Sequence, residues 1–182
     1  LPLFVKAIAL SVKQNPDANR ILFKRFPFGL RIVRFSRVDV NLPITRKLGG
    51  EWITFIGTLR DVDNMTVAQI QDELAKLQKG PAEQSPYIQK VVKLKKAPPF
   101  VATLFHWLMT RSPKFYLKNA GTCSLTVLEG MRGDYFLSSG PTTSLLCLGG
   151  IGDEPVVRDG QVVVRKIAKV ARGLDNYVIS GL

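Results

Sequence analysis

Histidine and cysteine are scarce in this 182-residue sequence, which holds one histidine, His106, and two cysteines, Cys123 and Cys147. The three lie far apart and show none of the close spacings that metal ligands need, so no metal site is expected. Both cysteines fall in apolar, strand-like runs and read as reduced core residues, which points to a cytoplasmic setting. No uninterrupted apolar run reaches the roughly 18 residues of a membrane span. The apolar opening, Leu1 to Leu10, lacks the basic start of a signal peptide. Internal repeats and low-complexity tracts are absent. Acidic residues are also in short supply, 14 against 26 Lys and Arg, for a formal charge of +12. Such an excess attracts anions of several kinds: nucleic acid, an acidic membrane surface, an acidic protein or a phosphorylated cofactor. The basic residues are scattered, however, over Lys24, Arg25, Arg31, Arg34, Arg37, Arg46 and Lys47 and then Lys90, Lys93, Lys95 and Lys96. They form no helical face with interleaved aromatics and no nucleic-acid module, so nucleic acid is not the expected partner.

What is present reads as alternating helices and strands. Residues 3–14, LFVKAIALSVKQ, carry apolar residues at helical spacing, and Asn15-Pro16 ends that helix. Arg31 to Phe35 and Val38 to Ile44 read as strands, with Pro43 marking an edge or a strand end. A turn at Gly49-Gly50 leads into a strand from Trp52 to Leu59. The helix over 66–79 opens on a capping box, Thr66 with Gln69, and carries an apolar stripe of Val67, Ile70, Leu74 and Leu77. Asp72 and Lys76 are spaced as an ion pair on it, and Gly80-Pro81 stops it. Residues 82–97 read as a polar loop with a short helix near Tyr87 to Val92. Pro98-Pro99 then opens the apolar segment FVATLFHWLM, 100–109. This is either a buried helix or one with an exposed apolar face suited to a partner or a lipid. Strands follow at Thr122 to Leu128 and Ser144 to Leu148. Val156 to Arg158 and Gln161 to Val163 flank Asp159-Gly160, a strong hairpin signal. A long strand is expected from Val164 to Ile179, broken near Gly173. This order of elements predicts an α/β sandwich with a mixed sheet.

In the C-terminal third the run PTTSLLCLGGIGDEPVVRDGQVVVRKIAKVARGLDNYVISG, 141–181, resembles the catalytic domain of the dihydrolipoyl acyltransferases of 2-oxoacid dehydrogenase complexes. The family counterpart has a short apolar strand, a glycine, an isoleucine, "PVV-x-DG-x-VV-R" and a strand ending in H-x-x-x-D-G. Earlier pieces resemble the family in the same order: LFVKAIALSVKQNPDAN, VDVNLPI, WITFIGTLRDVDNMTVAQIQDEL and GTCSLTVLEG. The resemblance implies one domain over 1–182 with a chloramphenicol acetyltransferase-like fold, a two-layer sandwich with a mixed β-sheet and helices on one side. A stretch at about 83–118 is longer than in the complex-bound enzymes and looks like that of free-standing relatives. With no initiator methionine, and a family pattern that continues past Leu182, the domain is expected to be incomplete at both ends.

The resemblance also implies a chemistry. Family members form trimers, and larger assemblies of them, with coenzyme A entering a channel between two subunits. The histidine of H-x-x-x-D-G takes the thiol proton, and a hydroxyl on the neighbouring subunit hydrogen-bonds the oxyanion. Here the hydroxyl position is Thr126, the histidine position is Asn176 and the aspartate position is Ser180. An asparagine amide cannot take up a proton at neutral pH. The one histidine, His106, lies about seventy residues upstream in the apolar segment and reads as a core or interface residue. Two readings stay open: a CoA-dependent acyltransferase with altered or attenuated catalysis, or a non-catalytic member serving as scaffold, assembly or ligand-binding subunit. Lipid contact through 100–109 is a further expectation.

Overall fold

In the computed structural model, residues 1–25, 27, 29–48, 50–79, 86–127 and 142–179 are described. Helix α1, Pro2–Gln14, is followed by a 3-10 turn over Pro16–Asn19 and by a hairpin of β1, Arg20–Lys24, and β2, Leu30–Arg34. Strands β3, Val40–Leu48, and β4, Glu51–Leu59, precede helix α2, Val67–Lys79. Three helices then run in succession: α3, Pro86–Lys96; α4, Pro99–Arg111; and α5, Pro113–Asn119. Strands β5, Cys123–Val127, β6, Ser144–Arg158, and β7, Gln161–Leu174, complete the chain.

The main sheet has five strands in the order β4-β3-β5-β6-β7, with β1 and β2 in a sheet of their own. It is mixed: β3 and β5, and β5 and β6, run parallel, while both outer pairs are antiparallel. The alternation of side chains along the strands decides which face is covered. Val40, Leu42 and Ile44 of β3, Leu125 of β5 and Leu148 of β6 meet Val5, Ile8 and Val12 of α1 and Ile70 and Leu74 of α2 in one buried cluster. This is the expected α/β sandwich. A second cluster of Ile21, Phe23, Phe35 and Tyr116 joins the small hairpin to α5, with Phe23 edge-on to Tyr116 at 5.5 Å.

Local signals in the sequence account for much of this. The Thr66 backbone N–H donates to Gln69 Oε1 at 2.8 Å, and the Gln69 N–H donates to Thr66 Oγ1 at 3.2 Å, the reciprocal pair of a capping box. Asp159 and Gly160 both adopt positive φ, 53° and 76°, as a tight two-residue hairpin turn requires. Both cysteines are free and buried.

Several expectations are corrected. Strand β1, Arg20–Lys24, shows no clear polar-apolar alternation in its sequence and is additional to the expected strands, and α3 is longer than the short helix expected near Tyr87. Lys76 pairs with Glu73, not Asp72, because the i,i+3 carboxylate lies nearer. Pro43 is not at a strand end, since β3 continues to Leu48, but it does lie on an edge, the alternative expectation, because β5 pairs with β3 only at Val40 and Asn41. The separate runs at 144–148 and 156–158 are one strand, irregular between Leu148 and Ile151 where Gly149-Gly150 lies. Strand β7 does not run to Ile179. Gly173 pairs with Leu145, and the strand ends one residue later. Asp175 then takes over, its Oδ1 accepting the Tyr177 N–H at 3.0 Å and its carbonyl accepting Val178 and Ile179. This turn uses the donors that a continuing strand would have needed.

One polar feature ties α1 to the loop after β4. Asp63, with its side chain 3% exposed, meets Lys13 at 3.0 Å and accepts the Val38 N–H at 3.2 Å. Burial alone would raise this carboxyl, but the Lys13 ion pair and the Val38 hydrogen bond outweigh it and hold it below its ordinary 3.8. A depressed folded value contributes stability above the unfolded value, and that stability is lost as pH falls through the folded one. The melting temperature is therefore expected to fall as pH drops below about 4. Asp63→Asn should flatten that part of the profile in a thermal-melt series, and an unchanged slope would rule the pair out as its source.

Candidate functional site

Two of the residues picked out by the family pattern, Thr126 and Asn176, are not neighbours within one chain. Thr126 lies on β5, half-buried, and pairs in register with Cys147 of β6, which in turn pairs with Ala171 of β7. Leu125 points into the helix-covered core, so alternation puts Thr126 on the opposite face, the one Ser124 shares. Asn176 is exposed and sits in the turn after β7. That turn is anchored to the start of β6 by the Asp175 N–H, which donates to the Thr143 carbonyl at 2.9 Å. Thr126 and Asn176 are thus separated by two strand spacings, about 10 Å, and by at least three strand residues, about 10 Å more. Ser180 lies outside the described residues.

Nothing basic in the acid–base sense stands at position 176. The Asn176 amide can donate and accept hydrogen bonds but cannot carry a proton away. Within one chain His106 stands in a different cluster. It is exposed on α4, which removes the core alternative and leaves the interface one, and it lines an apolar cavity of about 460 Å³ with Leu22, Phe23, Phe105, Met109 and Tyr116. That cavity belongs to the small hairpin and α4, not to β5, which carries Thr126, or to the turn after β7, which carries Asn176. Burial raises the Tyr116 phenol well above its ordinary range, and its O–H donates to the Gly121 carbonyl at 3.1 Å. It is a structural donor. Burial likewise pushes the Cys123 thiol up to about 12, helped by the nearby Asp39 carboxylate, so Cys123 is no thiolate nucleophile. Among the described residues no group of three or more His, Cys, Asp or Glu is placed to hold a metal ion. No described helix is long and apolar enough to cross a membrane.

The residues that hold β5 in place were not singled out in the sequence. Within VDVNLPI, Asp39 and Asn41 are buried polar residues in an otherwise apolar strand. The Asn41 Oδ1 accepts the Gly121 N–H at 2.7 Å and the Thr58 hydroxyl at 2.8 Å. The Asp39 carbonyl accepts the Thr122 N–H at 2.7 Å. Gly121 is fixed by lack of room, since a Cβ there would stand 2.6 Å from the Asp39 carbonyl. Alternation hides them: Val38, Val40, Leu42 and Ile44 take the helix-covered face, so Asp39 and Asn41 fall on the opposite one and read as solvent-facing, although both are buried and have to be satisfied by hydrogen bonds.

No protein-family model and no curated protein matches the sequence. Solved structures do match the fold. A dihydrolipoamide acetyltransferase from Azotobacter vinelandii, whose catalytic mechanism was probed at a serine, a histidine and an asparagine, superposes with a TM-score of 0.62 at 21% identity over 99% of this chain and 61% of its own. A probable dihydrolipoamide acetyltransferase from Listeria monocytogenes gives 0.60 at 16% identity, over 99% of this chain and 62% of its own. The cubic core of a pyruvate dehydrogenase multienzyme complex gives 0.63 at 20% identity, over 99% of this chain and 61% of its own. The chain has an acyltransferase-core fold. More particularly, it is the fold of the dihydrolipoamide acetyltransferase catalytic core, and the chain spans about three fifths of the length of those structures.

Proposed function

We propose that the chain is an acyltransferase-family domain that handles CoA thioesters at a site shared between subunits of a trimer, with catalysis attenuated by loss of the base at position 176. The observation that carries this reading is the fold likeness to acetyltransferase cores over 99% of the chain. The separation of Thr126 from Asn176 within one chain supports a site completed by a neighbour. Thr126 keeps the hydroxyl that would donate to an oxyanion. Asn176 can orient a thiol but not deprotonate it, so the attacking species has to arrive as thiolate. The charge of +12 suits the phosphates of coenzyme A. Free Cys123 and Cys147 support a reducing, cytoplasmic setting.

A second reading, a non-catalytic scaffold or assembly subunit of the same fold, is favoured by one observation: the base position holds an exposed amide, and His106 lies in another cluster. Thioester turnover with acetyl-CoA and with longer acyl-CoAs separates the two. The attenuated enzyme should bind CoA and turn over slowly, and Asn176→Ala should change that slow rate by less than tenfold, since no proton transfer is lost. Neither CoA binding nor turnover would leave the scaffold reading alone.

A further inference from the structure

We propose that α4 and the β1–β2 hairpin form a docking face for an anionic lipid surface. Helix α4 is apolar on two sides. Its inner side packs Phe105 edge-on against Phe115 at 5.3 Å and sets Met109 on the Phe23–Tyr116 cluster. Its outer side carries Phe100, Leu104 and Trp107, spaced i, i+4 and i+7, and these are 70%, 53% and 44% exposed. No residue of this helix is buried, and it contains no acidic residue. A contiguous stripe of an exposed Phe, Leu and Trp marks an interaction site more often than a free surface.

The stripe ends in uncompensated positive charge. Trp107 lines an open cavity of about 460 Å³ together with Lys24, Arg25, Arg31 and Arg111. The Arg111 guanidinium lies over the Trp107 ring at 5.1 Å, and its Nε is buried with no hydrogen-bond partner. None of the four cations has a carboxylate partner among the described residues, although Arg20 and Arg34 of the same hairpin both pair with Asp17. A free anion would fill the cavity and leave Phe100 and Leu104 in water. A nucleic acid would use the charges and gain nothing from the stripe. An anionic bilayer accounts for both: the apolar side chains enter the headgroup boundary, Trp107 sits at the interface, and the four cations meet lipid phosphates. With 13 residues, or roughly 20 Å, α4 lies on such a surface and does not cross it.

Co-sedimentation of the protein with vesicles tests this, using pure phosphatidylcholine against phosphatidylcholine mixed with phosphatidylglycerol. Binding is expected only to the anionic vesicles and should weaken as salt is raised. Phe100→Ser with Leu104→Ser should weaken it about a hundredfold or more, the effect expected from removing two buried apolar side chains. Arg25→Glu should weaken it by about fivefold or more. All three side chains are exposed, so the variants should melt with the wild type. Three results would each overturn the proposal. One is a folded protein that ignores anionic vesicles. Another is equal binding to neutral ones. The third is a stripe variant that changes the mass of the oligomer and leaves vesicle binding untouched, which would make the stripe a contact between copies of the chain.

Discussion

Asn176→His combined with Ser180→Asp is expected to raise thioester turnover by about 10²–10⁴-fold, the range a positioned general base supplies. The reason lies in the proton. With an amide at 176, attack depends on thiol that is already ionised, and that fraction rises tenfold per pH unit below the thiol pKa. The wild-type rate should therefore climb with pH across the neutral range. A histidine at 176 would take the proton itself, so the double variant should instead level off above about pH 6.5, where imidazole is neutral. The change of pH profile is the more telling readout, because a structural improvement at the site would lift the rate without changing its pH dependence. The aspartate is included because the family pattern pairs it with the histidine, and His alone in an exposed turn has nothing to hold its ring. Position 176 is exposed and ends no core contact, so the substitution should leave the fold intact. A folded, CoA-binding double variant as slow as the wild type would sink the idea that only the base is missing. A variant that still binds no CoA would favour the scaffold reading.

The parts of the fold that were legible in the sequence are those decided within a few residues. Thr66 and Gln69 satisfy each other's backbone donors whatever the rest of the chain does. Asp159-Gly160 turns the chain by its own conformational preference. The family pattern supplied the order of the larger pieces, and with it the fold. What escaped was decided across distance. The end of β7 depends on Asp175 reaching the Thr143 carbonyl, about thirty residues earlier, so Val178 and Ile179 looked like strand and are turn. The role of α4 could not be chosen between buried and exposed because its apolar residues surround the helix, and only the packing of Phe105 and Met109 shows which side faces in. The family pattern is what brings Asn176 and Thr126 together as candidates, and no spacing in the sequence places them two strands apart.

Asp39→Ala is expected to be the most destabilising single change among these residues, because this carboxylate joins three segments where β5 begins. Its side chain is fully buried, whereas those of Arg37 and Arg60 are 44% and 32% exposed. Oδ2 accepts from both guanidiniums at 2.8 Å, and Oδ1 accepts the Asp61 N–H at 2.9 Å. Arg60 reaches on to the end of α5, donating to the carbonyls of Leu117 at 2.6 Å and Ala120 at 2.8 Å. Breaking a buried pair by removing one partner typically costs about 3–5 kcal/mol. Both arginines can turn toward water, so the lower end, about 3 kcal/mol, is expected, or about 6–12 °C in melting temperature for a chain of this size. Arg37→Ala removes the more exposed partner and should cost less than about 1 kcal/mol. The asymmetry is the test, since a general surface-charge effect would make the two substitutions alike. Equal costs would mean the burial of Asp39 carries no special weight. If the expected order holds, the loss should extend to function, because the Asp39 backbone also fixes Thr122 at the start of the strand that carries Thr126. CoA-dependent turnover of Asp39→Ala, measured below its melting temperature, should then fall further than that of Arg37→Ala.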